Sequence, residues 1–256
     1  SPDGTRIAAH VFEDGRDNWV VDLRRGSFMR LTFDPGEDET PIWSPDGTVI
    51  FWTSTRASVP RAIYRKAADG SGAEQTIWTG DGHVHIGGIT PDGRTLVISI
   101  IRSQQTDLAT IDVASGRLTP LLTTPFVKTE PALSRDGTWL AYTSNESGQE
   151  EVYVQPFPSM QGRTQVSAGG GSQAVWSRNG RQLFYRGNGK VMAVDVSTTG
   201  EFVASAPRPI LDDKFDNPQG YGHTGYDVTS DGRFLVVARA VVSEAPTTHV
   251  RLVYRP

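Results

Sequence analysis

Three of the five histidines, His83, His85 and His223, stand a few residues ahead of a recurring Ser/Thr-x-Asp/Asn-Gly turn. The matching places before other copies of that turn hold Asp38, Glu39 and Thr40, then Lys128, Thr129 and Glu130, then Ser172 and Gln173, then Thr224 and Asp227. Imidazole and carboxylate side chains are the common ligands of divalent metals such as zinc. His85, His223 and Glu130 are therefore candidate metal ligands, with Asp227 as an alternative carboxylate. The competing expectation is a polar binding surface without a cofactor, formed by Glu39, His83, His85, Glu130, Gln173, His223 and Asp227. A His-x-His pair is common on exposed loops and does not by itself choose between the two.

Nucleophilic catalysis has a weaker basis. Ser172 follows Gly169-Gly170-Gly171 but lacks the closing glycine of G-x-S-x-G and has no strand-to-helix elbow around it. A relay through His223 and Asp227, or through His85 and Glu130, would need the fold to assemble it. A glycine-rich connection between structural units accounts for the same residues. The chain has no cysteine, which excludes a thiol nucleophile, thiolate metal ligands and disulfides.

What must position these residues is the turn itself. It occurs at 1–4, 44–47, 90–93, 134–137, 177–180 and 229–232, at intervals of 43 to 52 residues. A repeat of that length implies stacked or radially arranged units that share a core. Each unit reads as a short apolar run, the turn, and two or three further β-rich runs, as in Pro41–Trp43, Val49–Thr53, Ala62–Arg65 and Gln75–Trp78. Runs rich in Val, Ile, Tyr, Phe, Trp and Thr between Gly, Pro, Asp and Asn predict strands. No stretch keeps a 3.6-residue apolar period, so almost no helix is expected. The predicted fold is a single all-β domain over 1–256, a six-bladed β-propeller of four-stranded antiparallel blades, with a seven-bladed ring as the alternative. Trp43, Trp52, Trp139 and Trp176 are expected to fill the space between blades. The first unit starts at its turn and the last stops after a third strand, so the chain reads as an excerpt whose closing strands lie upstream. Such an excerpt would expose strand edges and invite pairing with another chain.

Composition narrows the partners. A net charge of −4, with basic residues scattered, gives no footprint for nucleic acid. Arg61, Arg65 and Lys66 form the densest basic group and read as a solvated strand face. No apolar run approaches the roughly 18 residues of a membrane span. Asn145-Glu146-Ser147 matches a glycosylation acceptor, a motif frequent by chance.

The pattern W-S-P-D-G followed by I/V-Y-V-x-D/P and then L-T resembles the WD40-like PD40 repeats of the TolB family. Ser144–Gly148, Glu151–Pro158, Gly169–Gln173, Trp176–Gly180 and Leu183–Tyr185 are most similar to PD40 propellers fused to bacterial serine/threonine kinases. No kinase motif lies in the chain itself. The fifth unit departs from the pattern in Arg178-Asn179 and in its extra length, placed in the loop around Asp212–Gly222. The resemblance implies a bacterial, non-catalytic propeller linked to an upstream signalling or envelope domain, extracytoplasmic in preference to cytoplasmic. Its partner would be a protein, peptide or small ligand. An ester or lactone hydrolase, or a metal-assisted lyase, is the enzymatic alternative.

Overall fold

Each of the six repeated turns is closed by the same bonds. The glycine N–H donates to the Ser or Thr carbonyl three residues back at 2.8–3.0 Å, and the glycine takes a φ of 69–79°. The Ser or Thr hydroxyl donates to the Asp or Asn side chain two residues on. It also accepts a backbone N–H four or five residues on, at 2.9–3.0 Å. One side chain thus satisfies the turn and starts the next strand, which explains why these residue types recur together.

The computed structural model describes residues 1–11, 16–56, 59–103, 105–215, 224–237 and 250–253. The chain forms two units, Ser1–Pro125 and Phe126–Pro256. The first holds three antiparallel sheets: β1 (Arg6–Val11), β2 (Asp17–Asp22) and β3 (Ser27–Arg30); β4 (Glu37–Trp43), β5 (Val49–Arg56), β6 (Val59–Ala67) and β7 (Gln75–Thr79); and β8 (His83–Ile89), β9 (Thr95–Arg102), β10 (Gln105–Asp112) and β11 (Leu118–Leu122). The second holds β12 (Lys128–Leu133), β13 (Trp139–Ser144), β14 (Glu151–Pro156) and β15 (Thr164–Gln165); then β16 (Ser172–Trp176), β17 (Gln182–Gly187), β18 (Lys190–Ser197), β19 (Val203–Ala204) and β20 (Arg208–Asp212); then β21 (Tyr226–Val228), β22 (Phe234–Val237) and β23 (Val250–Val253). No helix occurs among the described residues, so none there could cross a membrane.

The fold is an all-β propeller of antiparallel meanders, as the repeat predicts. The first and last sheets have three described strands instead of four. In the fifth sheet the outer strand is split in two, β19 pairing one end of β18 and β20 the other. The extra loop expected around Asp212–Gly222 lies largely outside the described residues.

Both faces of the middle strands are buried. On β5, Ile50 and Trp52 pack with Val20 and Leu31, while Phe51 between them packs with Val84, Ile86 and Ile98. On β17, Leu183 and Tyr185 join Trp139, Val152 and Trp176, while Phe184 turns to Tyr226, Val228 and Val236. Alternating side chains on β5 and β17 therefore bind the middle sheet of each unit to its neighbour on either side. Trp52, Trp139 and Trp176 are buried. Trp43 is half-buried instead, its outer face covered by the Arg6 guanidinium 4.6 Å from the ring centroid. Arg6 comes from the neighbouring sheet, so a cation covers a ring that was expected to fill the space between blades.

A second repeated device sits in the first strand of the inner sheets. β4, β8, β12 and β16 each slip register, after Glu39, Ile86, Thr129 and Ser172. Three of these bulges place a non-glycine residue at positive φ: Thr40 at 49°, Glu130 at 53° and Gln173 at 56°. Each lies four residues before its turn. A bulge re-aims the side chains beside it and is common next to functional sites.

Candidate functional site

The bulges gather two polar clusters, one in each unit. In the first unit, β4 contributes Glu37 and Glu39, β6 contributes Arg61, and β8 contributes His83 and His85. His83 and His85 are two residues apart on one strand and so share a face; their ring centroids are 4.3 Å apart. Glu39 is only 3% exposed. Its Oε1 accepts from Arg16 Nη1 at 2.9 Å, and the same nitrogen reaches Glu37 Oε2 at 3.1 Å. Its Oε2 lies 3.6 Å from His83 Nε2 and 3.7 Å from Arg61 Nη1. Arg61 Nη2 is 2.7 Å from His83 Nδ1. A guanidinium only donates, so Nδ1 must accept and the neutral ring carries its proton on Nε2.

Burial, reinforced by the Arg61 charge, pushes the His83 pKa below the usual histidine range. His10, on β1, is shifted down by burial too, and the Glu39 charge acts on it in the opposite sense. The cluster thus sets a buried carboxylate among two arginines and neutral imidazoles. His85 is buried, whereas His83 and Arg16 remain about one-third exposed. One ligand atom from each of Glu39, His83 and His85 lies within 4.8 Å of the others, a spacing suited to a metal ion.

In the second unit, Glu130 and Gln173 occupy equivalent bulge positions on adjacent sheets. Glu130 Oε2 accepts from the Gln173 backbone N–H at 2.7 Å and from Thr143 Oγ1 at 2.9 Å. Gln173 in turn accepts through Oε1 from Gly225 N–H at 3.0 Å, and through its backbone carbonyl from the Tyr226 hydroxyl at 2.9 Å. The three sheets of this unit are tied through one polar chain. Burial pushes Glu130 up to about 7, although both hydrogen bonds favour its charged form. Asp227 is exposed and caps Val228 N–H at 2.7 Å.

Of the sequence candidates, Glu39, His83 and His85 come together, and Glu130 and Gln173 come together; His223 lies outside the described residues. The expected solvated face of Arg61, Arg65 and Lys66 is corrected in part: the Arg61 side chain is 14% exposed and belongs to the first cluster. Arg16, just before β2, and His10, on β1, were not foreseen, because they lie outside the bulge pattern.

The glycine-rich segment before Ser172 proves to be a structural clamp. Glu151, buried on β14, accepts from Gly170 N–H at 2.9 Å and from the Ser167 hydroxyl. A Cβ on Gly171 would meet Ser167 at 2.5 Å. Among the described residues, no histidine is hydrogen-bonded to the Ser172 hydroxyl.

Known proteins match this architecture. Tricorn protease homolog 1 of Streptomyces coelicolor is 34% identical over 93 residues, 36% of this chain but 8% of that protein. The uncharacterized peptidase YuxL of Bacillus subtilis is 24% identical over 206 residues, covering 60% of this chain and 31% of its own length. The chain thus spans less than a third of the curated relatives it matches. A putative TolB from Agrobacterium tumefaciens superposes with a TM-score of 0.68 at 19% identity, over 91% of this chain and 84% of that one. An oligogalacturonate lyase in complex with manganese gives 0.62 at 15% identity, over 93% and 69%. The TolB beta propeller domain family (PD40) matches residues 81–208, half of the sequence, and the repeated turns and meanders extend the same pattern on both sides, so the chain belongs to the TolB β-propeller family.

Proposed function

We propose that this chain is a non-catalytic binding module of a longer bacterial protein. Its binding surface is the first-unit cluster, and its ligand is a peptide or a protein segment. The observation that carries this reading is the gradient of exposure in that cluster. Glu39 is buried and fixed by Arg16, while the Arg16, His83 and Glu37 side chains stand 33%, 34% and 47% exposed above it. Cationic and anionic groups held side by side on a rigid strand scaffold suit a ligand that offers both amide hydrogen bonds and charges. The greater length of the relatives supports a linked domain. The TolB likeness favours an extracytoplasmic place.

The test is a peptide library screened on the full chain, with affinities then measured by calorimetry for wild type and for Arg16→Ala/His83→Ala. Both positions are partly exposed, so the thermal midpoint should move little. Loss of at least about tenfold in affinity, roughly 1.4 kcal/mol, supports the reading. Unchanged affinity places binding elsewhere.

A lyase reading has one observation behind it besides the fold likeness to oligogalacturonate lyase. Once Arg61 releases Nδ1, the neutral His83 offers a base beside a cation able to stabilise an enolate-like carboxylate. Incubation with oligogalacturonate, followed by ultraviolet absorbance of an unsaturated product, decides it.

A further inference from the structure

We infer that Glu39, His83 and His85 form a site for a divalent first-row transition metal, and that Arg61 keeps it closed until the ion arrives. This deepens the binding reading above, because the same cluster is involved. The donor set is two imidazoles and one carboxylate, which suits zinc, cobalt or manganese.

The geometry supports this in three ways. Glu39 Oε2 and His83 Nε2 face each other at 3.6 Å, too long for a hydrogen bond, and His83 Nε2 is buried with no hydrogen-bond partner. With metal–ligand bonds of about 2.1 Å, two donors at that separation subtend about 120° at one ion, near the tetrahedral angle. His85 brings the third donor from the same strand face, within 4.8 Å of both. Arg16 meanwhile holds Glu39 Oε1 at 2.9 Å, orienting the carboxylate in the way outer-shell partners usually do.

Arg61 is the gate. While Arg61 donates to His83 Nδ1, the ring proton sits on Nε2, where a metal would have to bind. Loading therefore requires Arg61 to withdraw, the proton to move to Nδ1, and the Nε2 lone pair to turn to the ion. The ring stays neutral throughout, and no proton need be released from it. Arg61 Nη1 lies 3.7 Å from Glu39 Oε2, so its withdrawal also removes a cation that repels the incoming one. His83 is 34% exposed, so the ring edge is where an ion enters from solvent.

The experiment is titration of the full chain with cobalt(II), read by calorimetry and by the visible absorption of the bound ion. Wild type should take up one equivalent per chain. Glu39→Gln and His83→Gln should each weaken binding about tenfold or more, and Arg61→Ala should tighten it. His83→Gln is at a part-exposed position, so it reports even if the buried Glu39→Gln variant fails to fold. No stoichiometric uptake by either wild type or Arg61→Ala overturns the site. Uptake indifferent to both ligand variants also overturns it. Arg61→Ala that binds no more tightly than wild type overturns the gate. Since the probe is the metal alone, failure here leaves peptide binding to be judged by its own assay.

Discussion

Burial and hydrogen bonding pull the Glu130 carboxyl in opposite directions. Two donors, Gln173 N–H and Thr143 Oγ1, favour its charge, but the side chain is nearly sealed from water and burial wins, pushing it up to about 7. The consequence for stability has a definite sign. Between the ordinary value of 4.5 and about 7, the folded state holds this proton and the unfolded state does not. Glu130 therefore makes stability fall as pH rises through that window, by on the order of 3 kcal/mol in total if it acts alone. Glu130→Gln keeps an acceptor for the Gln173 and Thr143 donors but cannot ionise. Urea unfolding from pH 5 to 8 should show a downward slope in wild type that flattens in Glu130→Gln. An unchanged slope would mean that water reaches the carboxyl.

Within a blade, the turn and the tryptophans do different work. Gly47 adopts a φ of 71°, and a Cβ there would come within 3.3 Å of Pro2 on the neighbouring turn. Gly47→Ala should cost about 1 kcal/mol or more, from left-handed strain and that contact, measurable as a lowered urea midpoint. Trp176 spans two sheets: it packs in the core and donates through Nε1 to the Ala132 carbonyl at 2.9 Å. Trp176→Phe should cost about 1–3 kcal/mol for an unpaired carbonyl, and Trp176→Ala about 3–5 kcal/mol. Near-neutral values would remove Trp176 from the packing between these sheets. The turns were legible in the sequence because every bond in them is made within six residues. The strands followed, and β7 occupies Gln75–Thr79 where the sequence marks Gln75–Trp78. The bulges were not legible, because Thr40, Glu130 and Gln173 take a φ usually left to glycine. Their one sequence signal is a fixed place four residues before each turn.

For the molecule as a whole, the repeat explains why the site was only half readable. Glu39, His83 and His85 could be singled out because radial repetition returns equivalent strand positions to neighbouring blades. Arg61 and His10 come from second and third strands and Arg16 stands just before β2, and their approach depends on how sheets face each other, which spacing alone does not reveal. The same logic separates structural from chemical residues. The turn aspartates recur because the turn recurs, and their carboxylates are held below the usual range first by the Ser or Thr hydroxyl, as at Asp46 and Asp92. They are occupied in structure and unsuited to act as bases. The relatives include proteins named as peptidases, of which this chain covers 8% and 31%, so the activity in those names need not reside in the shared part. Around Ser172 the described side chains are tied into structure. Ser167 and Gly170 are bonded to the Glu151 carboxylate, Gly171 N–H donates to the Glu150 carbonyl, and no described histidine reaches the Ser172 hydroxyl. A nucleophile without a base within hydrogen-bond reach gains little over water. The purified 256-residue chain should therefore leave chromogenic peptide amides, esters and lactones at their buffer rates, and Ser172→Ala should change neither those rates nor, by more than about 0.5 kcal/mol, the stability. Turnover that Ser172→Ala abolishes would show that Ser172 finds a base outside the described residues and would restore the hydrolase reading.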